Sequence, residues 1–424
     1  MTPEIKQRIE QIRRGEVPEG YVKKRKVVIP QQWGLPQIKD IASISSGSTP
    51  NRNNSEYWNG NIAWVTTGEL SSGHVNHTSE LITVKAVKET KMRIYPQGTL
   101  LMAMYGQGKT RGTVAILEID AAVNQACAAI TVKDGKSKFL FYQLKNSYQD
   151  IRKLSNTGNQ ENLNADIIKT YQVPWAPDEE QERISTILTT QDKVIELKEK
   201  RLAEKQRQKK YLMQQLLTGK KRLPGFSGEW KNIKLCEVLS ERKEKNVEQN
   251  LRICSVAVQK GVVDQVEHLG RSYAANDTSN YSVAHYGDII YTKSPTGDFL
   301  YGIVKQNLLQ ETVAVSPLYG VFTPLTFGLG YFLHTYFQSA ICAQNYLLPI
   351  VQKGAKNTIN ITNDTFISSK LYLPLDVEEQ KAIADTFIAA DREIELLQQD
   401  IEQEKQKKKA LMQLLLTGIV RVKT

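Results

Sequence analysis

Short segments that read as loops carry the side chains with the clearest potential for chemistry. Arginine pairs with guanine, and asparagine or glutamine with adenine, through two hydrogen bonds in the DNA major groove. Serine, threonine, lysine and backbone N–H groups bind phosphate oxygens. The candidates for such contacts are Ser48, Thr49, Asn51, Arg52, Thr66, Thr67, Tyr105, Lys109, Thr110, Arg111, Asn124, Gln125, Asn159, Gln160, Asn162, Lys260, Arg271, Ser272, Lys293, Ser294, Thr296, Lys353, Lys356 and Asn357. Solvated turns have the same composition, so both interpretations stay open for each segment.

Two patterns suggest a phosphate site or a metal site. Residues 103–110 match a loose phosphate-binding loop, which must be followed at once by a helix whose N-terminal amides hold the phosphate. Residues 112–116 predict a strand instead, so we interpret the segment as a glycine-rich hairpin loop. His74 and His77 form at most half a metal site, and we interpret them as surface histidines.

Two further patterns resemble catalytic motifs of DNA enzymes. Asp178 with Glu196 and Lys198 mimics the magnesium site of a nuclease. Glu196 and Lys198 are two residues apart in a predicted helix, however, and therefore face different sides. Residues 316–319 (Ser-Pro-Leu-Tyr) are one residue from the motif of amino-methylating DNA methyltransferases, without the expected glycine-rich cofactor loop. The sequence thus predicts no catalytic residue and no metal site in this chain.

The elements that position these loops follow from an internal repeat. Residues 179–219 recur without a gap as residues 378–418, and both copies begin Glu-Glu-Gln and end Leu-Met-Gln-x-Leu-Leu-Thr-Gly. A repeat at this offset indicates two tandem halves. No proline or glycine lies between Asp178, a suitable N-cap, and Gly219, a suitable C-cap. Each copy therefore predicts a helix of roughly 40 residues, about 60 Å long.

Each predicted helix carries an apolar seam with alternating spacings of three and four residues, which is the coiled-coil pattern. The seam positions are Leu188, Gln191, Ile195, Lys198, Leu202, Lys205, Lys209, Leu212 and Leu216 in the first copy, and Phe387, Ala390, Ile394, Leu397, Ile401, Glu404, Lys408, Leu411 and Leu415 in the second. The simplest partner for each seam is the other copy. Because a globular region lies between them, we predict an antiparallel pair.

The predicted fold class is α+β, with two mixed α/β domains separated by two long antiparallel coiled-coil helices in pseudo-two-fold symmetry. The predicted segments are an N-terminal helix and extension (1–30), a first domain (31–176), a central helix (177–222), a second domain (223–375) and a C-terminal helix (376–424). β-Branched and apolar runs predict strands at 62–66, 81–84, 99–104, 112–116, 128–132, 167–173, 252–258, 288–292, 302–304 and 320–323. We also predict helices at 3–14 and 139–154.

Composition places the chain among globular proteins without a membrane span. Its 424 residues are 40% hydrophobic and 24% charged, and no apolar run approaches the length that a membrane span needs. The polar N-terminus does not predict a signal peptide. Four scattered cysteines indicate free thiols in a reducing cytoplasm. The net charge of +11 is compatible with a nucleic-acid partner, since lysine and arginine neutralise phosphates.

Over nearly its whole length the chain resembles the specificity subunit of type I restriction-modification enzymes. The marks of this resemblance are Trp33, Gly47-Ser48-Thr49-Pro50, residues 64–69, Asn124-Gln125, residues 158–164, Pro174, the repeated helix ends, residues 223–230, Gly287-Asp288-Ile289, residues 315–319 and Lys353-Gly354. Each mark is short, and their common order carries the resemblance. The loop at residues 106–111 is longer than is usual in that family.

The resemblance implies a non-catalytic subunit whose target recognition domains, residues 31–176 and 223–375, each read half of a split, asymmetric site in double-stranded DNA. The helices would fix the gap between the half-sites. Two methyltransferase subunits using S-adenosylmethionine would dock on the helices, and two restriction subunits would add ATP- and Mg²⁺-dependent cleavage. The chain would thus be a cofactor-free, cytoplasmic component of a type I site-specific deoxyribonuclease and adenine methyltransferase complex.

Two alternatives come from other functional classes. One is a standalone DNA methyltransferase or nuclease, which turnover by the isolated chain would favour. The other is a coiled-coil assembly scaffold whose globular regions bind proteins, which an absence of DNA binding would favour.

Overall fold

The computed structural model describes residues 2–106, 108–154, 162–271, 274, 276–353 and 359–422, without the side chains of residues 269, 352, 353, 359 and 360. The chain divides into two compact units. Unit 1 comprises Met1–Lys198 and Asp400–Thr424, and unit 2 comprises Glu199–Gln399. Each unit therefore contains one globular domain and a part of each repeat.

Unit 1 begins with helix α1 (Pro3–Arg13) and a hairpin of strands β1 (Tyr21–Lys24) and β2 (Val27–Pro30). Pro3 suits the first helical position because its fixed φ is already helical. The predicted N-terminal helix is thus confirmed. The extension is tied to the end of the chain, because Arg8 Nη1 donates to the carbonyl of Ile419 at 2.6 Å and Tyr21 Oη donates to that of Gly418 at 2.7 Å.

The domain of unit 1 is built from two sheets and short helices. Its elements are α2 (Ile38–Ile41), β3 (Ala42–Ser46), β4 (Trp58–Val65), β5 (His74–Val75), β6 (Glu80–Ile82), α3 (Val84–Glu89), β7 (Leu100–Ala103), β8 (Val114–Leu117), β9 (Ala121–Val123), β10 (Cys127–Val132), α4 (Ser137–Asn146), α5 (Tyr148–Lys153) and α6 (Ala165–Thr170). The main sheet has the order β3-β10-β7-β8-β5, and the side sheet has the order β6-β4-β9.

The predicted strand at residues 167–173 is wrong, because the structure has α6 there. The side chain of Asn164 accepts a hydrogen bond from the N–H of Ile167 at 2.8 Å and so caps this helix. That capping bond outweighs the strand preference of the two β-branched isoleucines. The single helix predicted at 139–154 is two helices, α4 and α5, which meet at Ser147.

Unit 2 repeats this topology although the sequences of the two domains differ. After α6 the chain continues through α7 (Asp178–Leu216), β11 (Trp230–Lys234), β12 (Leu239–Glu241), β13 (Arg252–Ala257), β14 (Gly261–Asp264), α8 (Gln265–Leu269), β15 (Ser282–Ala284), β16 (Ile289–Tyr291), β17 (Val304–Gln306), β18 (Val313–Val315), β19 (Gly320–Pro324), α9 (Phe327–Tyr336), α10 (Ala340–Leu347), β20 (Gln352–Lys353), β21 (Ile359–Asn360), α11 (Asn363–Ser368), β22 (Lys370–Pro374) and α12 (Val377–Leu415), of which α7 and α12 each belong partly to unit 1. The order β12-β19-β16-β17 matches β3-β10-β7-β8, and β14-β13-β18 matches β6-β4-β9, with β15 added. The duplication therefore extends from the helices into both domains.

The long helices α7 and α12 run antiparallel within each unit, as predicted. In unit 1, Gln191 Nε2 donates to Glu404 at 2.6 Å, whereas Lys198, farther along α7, donates to the earlier residue Asp400 at 2.8 Å. In unit 2, Lys205 pairs with Glu393 at 2.9 Å. The charged residues of the seam therefore form ion pairs across the helix pair.

Each domain core includes side chains from both long helices. In unit 1, Leu188 of α7 and Leu415 of α12 are buried with Trp33 and Phe139. In unit 2, Phe387, the repeat equivalent of Leu188, is buried in the same way. Burial of a side chain of this size contributes about 1.5–3 kcal/mol. The helices are thus fused to the domains and do not form a separate rod.

Candidate nucleic-acid interface

Two neighbouring parallel strands of unit 1 end at the same edge of the side sheet. Strands β4 and β9 pair in parallel, with Val65 opposite Val123. The N–H of Asn124 donates to the carbonyl of Val65 at 3.0 Å. The loops that follow the two strands, residues 66–69 and 124–125, are therefore neighbours in space.

The loop that follows β3 lies against the same edge. The N–H of Ser48 donates to the carbonyl of Val123 at 3.0 Å, and Thr49 Oγ1 donates to Gln125 Oε1. Only glycine fits at position 47, since a Cβ on Gly47 would lie 1.8 Å from the carbonyl oxygen of Val123. Three of the predicted contact segments are thus brought together.

Two more predicted segments join this edge through backbone hydrogen bonds. The N–H of Met104 donates to the carbonyl of Ala126 at 2.8 Å, and that of Leu163 donates to Met104 at 2.9 Å. Tyr105, which is 41% exposed, and Asn162 adjoin these bonds. We call the combined surface the unit 1 face. Its predicted contact residues are Ser48, Thr49, Asn51, Arg52, Thr66, Thr67, Tyr105, Asn124, Gln125 and Asn162.

Arg52 is the cationic side chain among the predicted contact residues of the unit 1 face, and aromatic rings support it. Its guanidinium carbon lies 4.1 Å from the ring centroid of Trp58 and 5.0 Å from that of Trp64. Such cation–π contacts contribute about 0.5–1 kcal/mol at exposed sites. Glu80 completes the surroundings, with its Oε2 atom 3.0 Å from Arg52 Nη2 and its Oε1 atom bonded to Nη1. Sequence reasoning missed Glu80 and both tryptophans as partners of Arg52.

Thr66 has a structural role in this arrangement. Glu69 Oε2 accepts from the N–H of Thr66 at 2.7 Å, and Glu69 Oε1 accepts from the N–H of Ser79 at 2.7 Å. The bond from Thr66 belongs to a capping box. The bond from Ser79 holds the loop against the start of β6. The next residue, Thr67, is half-buried.

A clamp from α5 holds the loop that follows β7. Tyr148 Oη donates to the carbonyl of Lys109 at 2.7 Å, and Arg152 donates to two other loop carbonyls at 2.7 and 2.8 Å. The side chain of Lys109 is exposed and Thr110 is half-buried, whereas Arg111 is only 7% exposed. Sequence reasoning missed Tyr148 and Arg152. Their i, i+4 spacing, which puts both on one helix face, is the signal that was available.

Unit 2 has an equivalent edge where the parallel strands β13 and β18 end. Cys254 lies opposite Val315 in this pair. The exposed Lys260 lies in the turn that joins β13 to β14, three residues after Ala257, the last residue of β13. Residues 316–319 follow β18 and form a tight turn, in which the N–H of Tyr319 donates to the carbonyl of Ser316 at 3.0 Å. The former methyltransferase-like pattern is therefore a loop of this edge, which we call the unit 2 face.

The loop that follows β16 carries three of the predicted residues of unit 2. Lys293 is half-buried and adopts a φ of +59°, which is unfavourable for a residue other than glycine. A Cβ on Gly302 would lie 2.8 Å from the backbone nitrogen of Lys293, so the two loop arms touch. Burial lowers the pKa of Lys293. Ser294 is exposed, and Thr296 forms a tight turn with Phe299.

The remaining candidates divide into one described residue and several that are not described. Arg271 is exposed just after α8, beyond the left-handed Gly270. The residues Asn159, Gln160, Ser272, Lys356 and Asn357, and the side chain of Lys353, lie outside the described residues. A DNA contact by any of the candidate residues remains a prediction.

The patterns that resembled active sites have structural roles instead. Strand β8 follows the glycine-rich loop, as predicted, so no helix is present there to bind phosphate. Lys198 belongs to the helix seam, where it donates to Glu404 at 2.9 Å. His74 Nδ1 lies 2.8 Å from Glu118 Oε1. In the described part of the chain, no group of three His, Cys, Asp or Glu could hold a metal ion, and no helix combines the length and apolar character that crossing a membrane requires.

Comparison with known proteins identifies a family for both halves of the chain. A family model described as the type I restriction modification DNA specificity domain matches residues 30–206 and again residues 228–406. Each match covers one domain together with most of the repeat that follows it. The two matches together cover well over half of the chain.

Individual relatives from Methanocaldococcus jannaschii agree with the family match. The type I restriction enzyme MjaIX specificity subunit is 34% identical over 178 residues, which is 41% of this chain and 40% of that relative. The MjaVIII specificity subunit is 24% identical over 429 residues, covering 93% of this chain and 94% of that protein. The fold resembles the crystal structure of the S subunit of a type I system from M. genitalium, with a TM-score of 0.58, 11% identity, and coverage of 93% of this chain and 98% of that one.

Proposed function

Since the chain belongs to the family of type I restriction-modification DNA specificity proteins and carries two such domains, we propose that each domain reads one half of a split, asymmetric site in double-stranded DNA. The observation that carries the proposal is the pair of domains with equivalent topology and unlike loops. Thr66 and Asn124 directly follow the two strand ends in unit 1, whereas Val258 and Ser316 directly follow them in unit 2. A shared scaffold with different loops fits two half-sites of different sequence.

The chain, in this proposal, acts without catalysis and recruits enzymes to the site. Two methyltransferase subunits that use S-adenosylmethionine dock on the long helices, and two restriction subunits add ATP- and Mg²⁺-dependent cleavage. Two copies of one partner need two equivalent surfaces, and the two copies of the repeat are suited to provide them. Leu197 is 53% exposed and its repeat equivalent Leu396 is 47% exposed, each within the triplet Ile-Glu-Leu. The length of the helices sets the gap between the half-sites, and the complex works in the cytoplasm.

The test is a selection from random duplex DNA by the chain in complex with its methyltransferase subunits. The proposal predicts that the selected molecules share two short sequences at a constant separation. Exchanging residues 31–176 for the equivalent domain of a relative should change one of these sequences and leave the other. Selection of a single continuous sequence, or turnover of S-adenosylmethionine or plasmid DNA by the isolated chain, would contradict it.

A further inference from the structure

Two tryptophan side chains hold the loop that carries Arg52. The indole N–H of Trp58 donates to the carbonyl of Asn51 at 3.2 Å, and that of Trp64 donates to the carbonyl of Ser48 at 3.1 Å. The two rings meet edge to face at 5.2 Å, and Trp64 is only 1% exposed. The backbone on both sides of Asn51 is thus fixed to a rigid aromatic support, which determines where Arg52 projects.

Glu80 occupies one of the two edges of Arg52 that can form paired hydrogen bonds. It binds Nη1 and Nη2, with a distance of 3.0 Å between Nη2 and Oε2. The other edge consists of the Nε–H and the second N–H of Nη2. A guanidinium presents five N–H groups in a planar fork, so this second edge keeps the geometry needed for a pair of parallel hydrogen bonds.

The ion pair of Arg52 and Glu80 lies at the edge of the sheet that forms the unit 1 face. Glu80 begins β6 and lies opposite Trp64, near the end of β4. The side chains of Arg52 and Glu80 are 53% and 33% exposed, so both can be approached from solvent. A cavity of about 160 Å³ opens beside them, lined by Arg52, Trp58, Asn59, Ser79, Glu80 and Leu81. The hydrogen bonds from Arg52 lower the pKa of Glu80, which keeps its carboxylate charged.

We propose that Arg52 and Glu80 act as one unit that reads a G·C base pair in the half-site of unit 1, an inference that rests on the proposed function. Guanine offers the acceptors O6 and N7 in the major groove, and cytosine offers the N4 amino donor. The Nε/Nη2 edge of Arg52 donates to guanine, and the carboxylate of Glu80 accepts from the amino group of cytosine. Both partners of one base pair are thereby recognised.

Glu80 also prevents Arg52 from binding phosphate without regard to sequence. A single arginine on an exposed loop is attracted to any DNA backbone, because binding releases counterions. Paired with Glu80 it carries no net charge, and a carboxylate brought close to phosphate is repelled. Only a base pair with two adjacent acceptors on one base and an amino donor on the other, as in G·C, satisfies both groups. Glu80 is therefore a residue that determines specificity as well as one that positions Arg52.

The test compares the Glu80→Gln variant with the unaltered chain, each in complex with the methyltransferase subunits, in DNA selection and in binding at several salt concentrations. We expect preference for G·C at one position of one half-site to fall by about 5- to 150-fold, while the other half-site is unchanged. We also expect the slope of log K against log salt concentration to steepen by about 0.9, because Arg52 becomes free to bind a phosphate.

Two further variants make the outcome decisive. Glu56→Gln removes an equal charge from the exposed ion pair with Lys85 in the same domain. It should change neither the preference for G·C nor the slope of log K against log salt concentration. Arg52→Ala combined with Glu80→Gln should lose less preference than the sum of the two single losses, since Glu80 acts together with Arg52. Thermal melting of each complex identifies any variant whose loss comes from unfolding.

Unchanged preference and salt dependence in Glu80→Gln, while the unaltered complex still selects a split site, would overturn this inference alone. If the unaltered complex selects no split site, the proposed function fails, and the inference fails with it.

Discussion

Trp33 donates its indole N–H to Glu180 at 2.9 Å, and so joins the first domain to the start of α7. The other oxygen of the same carboxylate accepts from Arg421 at 2.7 Å, beyond the end of α12. Glu180 is fully buried. One carboxylate thus connects the domain, the start of one long helix and the end of the other within unit 1.

Unit 2 contains the same arrangement at equivalent positions of the repeat. Glu379 accepts from the indole N–H of Trp230 at 3.1 Å and from Arg222 Nη2 at 2.5 Å. Because Arg222 and Arg421 each follow one copy of the repeat, every junction uses an arginine from one copy and a glutamate from the other. The junction is therefore a duplicated structural device.

We predict that Glu180→Ala destabilises unit 1 by about 2–3 kcal/mol, because it leaves the buried indole N–H of Trp33 without its acceptor and Arg421 without its partner. The loss stays modest because Arg421 is partly exposed and can be hydrated. Urea unfolding, monitored by hydrogen exchange of peptides from unit 1, measures this loss of stability. The matched control is Glu182→Ala, an exposed residue two positions along the same helix whose replacement should cost little. Equal losses in both variants would contradict the assigned role.

Gly47→Ala should disturb the unit 1 face without touching unit 2. The new methyl group would overlap the carbonyl of Val123, which belongs to the backbone of a sheet and cannot move aside cheaply. We expect a loss of about 1–3 kcal/mol in stability of unit 1 and weakened selection of one half-site. Gly228→Ala is the matched control, since no atom of the described residues lies within 4 Å of the added carbon. Normal selection at both half-sites by Gly47→Ala would show that this loop takes no part in recognition.

Substitution of the equivalent exposed leucines should change the number of bound methyltransferase subunits. Leu197→Lys and Leu396→Lys each place a charge where we propose that an apolar contact forms. We expect either single variant to retain one methyltransferase subunit and the double variant to retain none, which mass photometry of the assembled complex measures. Lys200→Ala, an exposed change one turn from Leu197, serves as the control. If the double variant still binds two methyltransferase subunits, they dock on a different surface.

The stability of unit 2 should depend on pH through His334. This residue is 6% exposed, and its Nδ1 accepts from the N–H of Gln306 at 3.0 Å, so protonation would break that bond. Burial, with Lys305 and Lys209 nearby, lowers the pKa of His334 to about 3. The unfolded chain therefore takes up a proton first as the pH falls. The stabilisation is present above about pH 6.5 and is lost at about 1.4 kcal/mol per pH unit below it.

The pH prediction is checked by urea unfolding of unit 2 between pH 5 and pH 8, with hydrogen exchange of peptides from β16 and β19 as the local probe. His334→Gln should reduce the pH slope, whereas His268→Gln, an exposed change in the same unit, should not. An identical slope in His334→Gln and the unaltered chain would exclude His334 as its source.

The long helices could be predicted from sequence because local signals agree over their whole length. Asp178 begins α7, Gly219 follows it with a φ of +68°, and the seam from Leu188 to Leu216 is buried or half-buried as the three-and-four spacing requires. Where local signals conflict, the prediction failed. Ile167 and Ile168 favour a strand, but the Asn164 cap decides for a helix.

The convergence of the loops could not be predicted from sequence. Ser48, Asn124 and Leu163 are far apart in the chain, and only the pairing of β4 with β9 and the bonds to Val123 and Met104 bring them together. The equivalence of the two domains was hidden for the same reason. Strand order depends on backbone pairing, which different side chains can support.

The central claim is that two unlike domains on a duplicated scaffold read two half-sites at a constant separation. Mapping of N6-methyladenine across the genome of cells that express this chain with its methyltransferase subunits tests it most directly. We expect one asymmetric motif of two short sequences at a single fixed gap, whose methylation disappears when the chain is removed. Methylation confined to a continuous motif, to one with a variable gap, or unaffected by removal of the chain would contradict it.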